Sequence, residues 1–212
     1  MREVVYKMNW NRKEKAFFSK AKTPYHVQEL LDSLDYNTDD LTRSVRYAIQ
    51  VNKAHCLDGA LIAAAALEYL GFPPLILDLR ANESDDDHVI VPFQVRGCWG
   101  AVGKSNFSGL RYREPVYQNL RELVMSYFEP YFNLEGERTL REYSLPLNLS
   151  KISQVDWRFG LGSMDEIGVI LDGIRHFSLL SKSSIKALTL VDKRSIAAGK
   201  VGLNIKGAFR KG

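Results

Sequence analysis

The feature that most constrains the fold is the apolar stretch over residues 60–70, which reads ALIAAAALEYL. A helix that is apolar on nearly every face is typical of a helix surrounded by protein. The run of alanines favours helix formation and lets neighbouring elements approach the backbone closely. Gly71 caps the C-terminal end of the stretch, and Pro73 and Pro74 prevent its continuation. The sequence therefore predicts a central, buried helix.

Cys56 stands where this helix begins, and Asp58 places a negative charge in its first turn, where the helix dipole favours it. Unpaired backbone N–H groups and the positive end of the dipole lower the pKa of a thiol at such a position. The alternative is a small buried hydrophobic residue without chemistry. The position at the helix start favours a thiolate nucleophile, so we expect Cys56 to have a low pKa.

The periodicity along the chain changes from helix to sheet after this central helix. Helical spacing precedes it, and a strand pattern follows it, with a turn at Arg96 and Gly97. The pattern predicts an α+β fold, with the Cys56 helix packed on an antiparallel sheet and flanked by other helices. The predicted helices cover residues 24–34, 41–52, 116–128 and 165–180. The predicted strands cover residues 2–8, 75–79, 88–95 and 98–102, with an edge strand within 140–149.

A length of 212 residues, of which 45% are hydrophobic, suits one packed domain. We expect that domain over residues 1–181. Residues 182–212 are rich in Lys, Arg, Gly and Ser, so we expect a basic, loosely ordered tail. The start of the chain lacks the layout of a signal peptide, and no uncharged run is long enough to insert into a membrane. These features predict a soluble, cytoplasmic protein.

A thiol nucleophile needs a general base, usually a histidine that is near in space but distant in sequence. His88 begins the strand that follows the Cys56 helix, which is where a base would lie if the sheet packs against the helix start. His55 is adjacent to Cys56 and would project in another direction. His26 and His176 fall on predicted amphipathic helices, where a structural role is expected. His88 is therefore the candidate base.

Together these residues resemble the transglutaminase-like superfamily of cysteine peptidases and acyltransferases, over roughly residues 41–106. The resemblance is carried by Cys56-x-Asp58-x-Ala60, Leu67-x-x-Leu70-Gly71-Phe72-Pro73, the strand at His88, and Gly97-x-Trp99. It implies a papain-like core in which the Cys opens a helix, and the His and an acid lie on neighbouring strands. It also implies a peptide or protein amide as substrate and no cofactor. By position, Cys56 corresponds to the nucleophile and His88 to the base.

The third member of the family's triad is missing from its usual place. The family has an Asp a few residues after the Trp, where this chain has Gly103 and Lys104. Asn106 is the nearest residue able to accept a hydrogen bond from the ring, as an amide does in Cys-His-Asn enzymes. We therefore predict that Asn106 lies within hydrogen-bonding reach of His88.

The leading hypothesis is a cysteine-dependent amide hydrolase or acyltransferase. Cys56 would attack the carbonyl and His88 would protonate the leaving amine. The Cys56 N–H, with a side chain such as Asn52 or Gln50, would stabilise the oxyanion. Whether the acyl group passes to water or to an amine depends on access to the site, and both outcomes stay open.

Two other hypotheses remain. The missing Asp favours a catalytically inactive member of the fold that binds a partner. A basic tail with Arg111, Tyr112 and Arg113 would suit nucleic acid or an acidic surface, but a net charge of +4 is too mild to favour nucleic acid. We expect no metal, because no close-spaced ligand pair such as C-x-x-C occurs. Cys98 is expected to be an ordinary strand residue, and residues 85–87 a solvated acidic loop.

Overall fold

The computed structural model of the chain describes residues 9–39 and 41–209; the predicted strand over residues 2–8 lies outside the described residues. The helices are α1 Arg12–Phe18, α2 Pro24–Asp32, α3 Val45–Val51, α4 Cys56–Tyr69, α5 Leu120–Met125, α6 Asp165–Asp172, α7 Lys182–Lys186 and α8 Lys193–Gly199. The strands are β1 Asp35–Tyr36, β2 Lys53–Ala54, β3 Leu75–Ala81, β4 His88–Val95, β5 Cys98–Val102, β6 Arg113–Tyr117, β7 Leu140–Ser144, β8 Leu147–Asn148 and β9 His176–Ser178.

The main sheet confirms the predicted α+β class. Its strands lie in the order β6-β5-β4-β3-β7-β9, with β8 also paired to β3, and each pairing is antiparallel. The short strands β1 and β2 pair in parallel apart from this sheet. In the described ranges, no helix is both long enough and apolar enough to cross a membrane.

Helix α4 is the predicted central helix. Every residue from Leu57 to Leu67 is buried, and α2, α3 and β4 pack around it. Gly71 follows the helix with a φ of 91°, which is the left-handed conformation that favours glycine at a helix end. The helix lies on one face of the sheet. The other face packs against α5 and the aromatic residues Tyr127 and Tyr131.

Lys104 anchors the end of β5 to α2 and α4. Its buried Nζ donates to the carbonyl of Leu31, at 2.8 Å, and to that of Leu34. A cation at the C-terminal end of a helix is favoured by the helix dipole, and burial lowers the pKa of Lys104. A Cβ placed on Gly59 would lie 2.2 Å from the Lys104 Cβ, so only glycine allows this approach to α4.

The predicted helices over residues 116–128 and 165–180 are each wrong in part. The first begins at Leu120, because the residues before it form β6 against β5. The second ends at Asp172, and His176–Ser178 form β9 along the edge of β7. His176 therefore lies on a strand. In both segments, pairing with a strand elsewhere in the chain determines the secondary structure in place of the local helical spacing.

The segment from residue 182 was expected to be loosely ordered, but its described part, to residue 209, is tied to the domain. Val191 N–H donates to the Gly136 carbonyl at 2.8 Å, and Ser108 N–H donates to the Gly199 carbonyl at 3.0 Å. A Cβ on Gly199 would lie 2.5 Å from Phe132 Cζ, so helix α8 packs closely on that ring. Backbone hydrogen bonds and close packing hold the segment, neither of which its composition reveals.

Candidate active site

Local capping fixes Cys56 as the first residue of α4. His55 is the N-cap residue: its Nδ1 accepts from Leu57 N–H at 3.1 Å, and Asp58 Oδ2 accepts from His55 N–H at 3.1 Å. This reciprocal pair satisfies backbone donors that a helix start leaves without partners. The histidine next to Cys56 is therefore occupied in capping.

Asp58 also joins the helix start to the loop before α3. Its carboxylate is fully buried and accepts from Arg43 N–H at 2.6 Å and from Asn37 Nδ2 at 3.3 Å. Buried carboxylates are stable only when such donors surround them. These hydrogen bonds fix the start of α4 and therefore the position of Cys56.

Tyr36 is brought beside Cys56 by the parallel pairing of β1 and β2. Tyr36 is in register with Ala54, and Asn37 N–H donates to the Ala54 carbonyl at 3.0 Å. Burial, and next the charge of a Cys56 thiolate, raise the pKa of Tyr36, so its phenol stays protonated and can donate a hydrogen bond. No pattern in the sequence marks Tyr36 as a site residue, because the pairing that places it links two strands of only two residues each.

His88 is buried, with its Nε2 2.9 Å from the Leu110 carbonyl oxygen. A carbonyl only accepts, so Nε2 carries the proton and Nδ1 is the unprotonated nitrogen. Burial lowers the pKa of His88 to about 4, against a smaller raising effect of the Leu110 hydrogen bond. The ring is therefore a neutral imidazole at pH 7, with Nδ1 able to accept a proton.

One cavity of about 470 Å³ brings the three predicted site residues together. Cys56, His88 and Asn106 all line it. The other lining residues include Tyr36, Asn37, Asp39, Asp85, Asp86, Asp87, Tyr131 and the segment from Lys206 to Phe209.

The expectation of a low pKa for Cys56 is wrong. Burial raises the pKa of the thiol to about 12, and the charges of Asp86 and Asp58 act in the same direction. The backbone N–H groups of Val89 and Leu57 lower it, but by less. Both Cys56 and His88 belong to the described residues, and no hydrogen bond joins the thiol to the ring. At rest the site holds a neutral thiol and a neutral imidazole.

Asn106 does not hold the His88 ring, so that prediction is also wrong. Its Nδ2 donates to the Asn204 carbonyl at 2.9 Å, and its Oδ1 accepts from Asn204 N–H at 2.8 Å. The Leu110 carbonyl occupies the orienting position instead. A main-chain acceptor leaves no residue-type signal in a sequence.

Gly103 stands beside the His88 ring, near the position where the resemblance expects a carboxylate. A Cβ on Gly103 would lie 3.3 Å from His88 Nε2 and 3.4 Å from the Leu110 carbonyl oxygen. The Gln28 side chain holds the backbone here: it donates to the Gly103 carbonyl at 3.0 Å and accepts from Gly103 N–H at 3.1 Å. The backbone of residue 103 is therefore held next to the His88 ring, and this residue, a glycine, has no side chain.

The predicted oxyanion residues lie elsewhere. Asn52 is exposed, ends α3 with a left-handed φ of 57°, and does not line the cavity. Gln50 is exposed on α3 and is likewise outside the cavity lining. Asn52 is therefore a turn residue, and this prediction is wrong for both side chains.

The acidic loop at residues 85–87 is more ordered than the expected solvated loop. Asp85 accepts from the Thr139 hydroxyl at 2.5 Å, and Asp87 accepts from Ala81 N–H at 2.7 Å. Burial raises the pKa of Asp85 to about 6. The loop adds negative charge to one wall of the cavity.

Carboxylate oxygens of Asp78, Asp87 and Asp172 lie within 4.8 Å of one another. His176 Nε2 is 2.9 Å from Asp78 Oδ2, and an Arg80 guanidinium nitrogen is 3.8 Å from Asp172 Oδ1. The Arg80 guanidinium offsets part of the negative charge of the cluster, and the His176 ring forms a hydrogen bond with Asp78.

The basic segment at residues 111–113 is engaged within the protein. Arg111 pairs with Asp32 at 3.1 Å, and the Arg113 guanidinium lies 3.9 Å from the centre of the Tyr127 ring. The two arginines thus have internal partners, which weakens the hypothesis of a nucleic-acid surface here.

A scan against protein-family models found no match, and a search of curated proteins found no significantly similar sequence.

Proposed function

We propose that the protein is a cysteine-dependent amide hydrolase or acyltransferase of the transglutaminase-like type. The observation that carries the proposal is one cavity lined by both Cys56 and His88. Cys56 opens a buried helix, and His88 is a buried neutral imidazole whose Nε2–H is directed to a fixed carbonyl. A nucleophile, a base and an orienting acceptor are the parts that thiol acyl transfer requires.

In the proposed reaction, His88 Nδ1 takes the thiol proton as Cys56 Sγ attacks the substrate carbonyl. The tetrahedral intermediate then collapses: the C–N bond breaks, the thioester forms, and the ring proton passes to the leaving amine. Water or a second amine then attacks the thioester carbonyl, and His88 takes the proton of the attacking group. The C–S bond breaks, the carboxylic acid or the new amide leaves, and His88 returns the proton to the sulfur. The neutral imidazole has Nδ1 free for this proton, but with pKa values of about 4 for His88 and about 12 for Cys56 the transfer is uphill by about 11 kcal/mol at rest. The proposal therefore requires that bound substrate raises the pKa of His88 and lowers that of Cys56.

Tyr36 is the proposed oxyanion donor. Burial raises its pKa, so the phenol keeps its proton when charge develops on the substrate oxygen. A preorganised donor directed at the substrate oxygen stabilises such charge.

The test is the hydrolysis of 4-nitrophenyl acetate, which measures acyl transfer without a known substrate. Cys56→Ala should abolish enzymatic release of nitrophenol, and His88→Gln, which keeps a donor for Leu110, should slow it by about 10²–10⁴-fold. Cys98→Ser is the matched control, because Cys98 is not among the residues lining the cavity, and it should leave the rate unchanged. Equal rates in all four proteins would refute the proposal.

A binding module without catalysis is the second candidate. The absence of a hydrogen bond between the Cys56 thiol and the His88 ring, both in the described ranges, favours it, as does the raised pKa of Cys56. Catalytic hydrogen bonds often tighten only when the substrate is bound, so the kinetic comparison above decides between the two.

A further inference from the structure

Residues 204–209 are here called the C-terminal strap, and residues 206–209 of it line the cavity that contains Cys56. We propose that the strap holds the place of a peptide substrate, and that Asn106 recognises the backbone of that peptide when the strap leaves. The inference rests on the proposed function, because only an enzyme would use the bound peptide as a substrate. Its test measures peptide binding and needs no turnover.

The first support is the two-point contact between Asn106 and Asn204. The Asn106 side chain donates to the Asn204 carbonyl at 2.9 Å and accepts from Asn204 N–H at 2.8 Å. An amide side chain that pairs with both main-chain groups of one residue reads peptide backbone and no particular side chain. Asn106 also lines the cavity, so the contact lies at the proposed site.

The second support is the course of the strap past Tyr36. A Cβ on Gly207 would lie 2.6 Å from Tyr36 Cε1 and 3.2 Å from Thr38 Cγ2, so the backbone passes directly against the ring. Tyr36 lines the cavity together with Cys56. A peptide that followed the same course would bring its main chain into the cavity that contains Cys56, with a glycine beside Tyr36.

The third support is that the strap can leave without disturbing the domain. Helix α8 is anchored by the contact of Gly199 with Phe132 and by the hydrogen bond from Ser108. Beyond that anchor, no described residue from Val201 to Phe209 is buried. Gly202 has a φ of 78° and nothing near its Cβ position, which suits a hinge. A segment with few buried contacts opens at small cost in free energy.

The charges around the cavity indicate which peptides would bind. Lys206 lines the cavity together with Asp39 and the acidic loop at residues 85–87. The electrostatic field of a cavity lined by several carboxylates favours a basic side chain. The strap therefore predicts a peptide with a basic residue directly before a glycine.

The experiment follows iodoacetamide alkylation of Cys56 in full-length protein whose only cysteine is Cys56. Gly207→Leu should displace the strap and speed alkylation about tenfold, equivalent to about 1.4 kcal/mol. Gly162→Leu is the matched control, because nothing lies within 4 Å of its Cβ position, and it should leave the rate unchanged. Asn204→Pro, which removes the N–H that Asn106 accepts, is an independent second way to release the strap.

The peptide acetyl-NIKGAF-amide, which copies the strap, should then protect Cys56 of the Gly207→Leu protein. Adding Asn106→Ala should abolish that protection, measured as the ratio of the alkylation rates without and with peptide in the same variant. If neither Gly207→Leu nor Asn204→Pro changes the rate, or if the peptide protects equally without the Asn106 amide, the inference is wrong and the strap is a fixed wall. Protection without ester hydrolysis would instead overturn the proposed function alone.

Discussion

Placing a carboxylate at residue 103 should raise the pKa of His88. A Cβ there would lie 3.3 Å from Nε2, so a Gly103→Asp carboxylate would sit about 4 Å from the ring. At that distance, opposite charges in a protein attract by about 4 kcal/mol with an effective dielectric constant of about 20. Each pKa unit corresponds to about 1.36 kcal/mol, so the upper bound is about 3 units. Since the new carboxylate also loses solvent, we expect a rise of about 1 to 3 units.

The measurement is an NMR titration of the histidine ring protons, with the His88 resonance identified by its loss in His88→Gln. From about 4 in the natural protein, the pKa should move to between about 5 and 7 in Gly103→Asp. Gly103→Asn has nearly the same size without the charge and should produce a much smaller rise. A pKa that stays near 4 in the Asp variant, or rises equally in the Asn variant, would refute the placement of His88 next to Gly103.

Three further predictions concern titration and packing. Burial lowers the His88 pKa from 6.5 to about 4, so protonation of the ring favours the unfolded state. The free energy of unfolding should therefore fall by about 3 kcal/mol as the pH drops from about 6.5 to below 4. Urea titrations of His88→Gln should lack this loss. With its pKa raised to about 12, Cys56 should be alkylated about tenfold faster per pH unit up to pH ~11, and a plateau near pH 9 in single-cysteine protein would contradict the burial effect. Gly59→Ala should lower the free energy of unfolding by about 1 to 3 kcal/mol, because the new Cβ would lie 2.2 Å from the Lys104 Cβ. Thermal melts should show no such loss for Gly168→Ala, because the atom nearest to a Cβ at Gly168 is 3.6 Å away.

Strong local signals made the centre of the fold predictable. The apolar run, the Asp58 charge in the first turn and the Gly-Pro end mark α4, and the predicted strands over residues 88–95 and 98–102 agree with β4 and β5 at both ends. The wrong secondary-structure predictions lie where pairing with a strand distant in sequence determines the structure. His176 has helical neighbours in sequence but joins β7, and only the folded sheet shows that its edge is available.

The site was predictable where side chains at element starts mark it. Cys56 and His88 each begin an element, and the sequence assigned both to one site. Whether the helix dipole or burial controls the thiol pKa depends on how much protein surrounds the sulfur, which spacing does not show. The hydrogen bonds of Leu110 and Asn204 are formed by main-chain atoms, so no residue type marks their positions in the sequence.

The central claim is that Cys56 becomes acylated with His88 as the base. The direct measurement is mass spectrometry of protein mixed with 4-nitrophenyl acetate and quenched in acid within the first turnover, followed by peptide mapping. The account predicts one acetyl group per chain on Cys56, and a rate of formation about 10²–10⁴-fold lower in His88→Gln. Acetyl groups found only on lysines or on Cys98, or formed on Cys56 at the same rate without the imidazole, would contradict it.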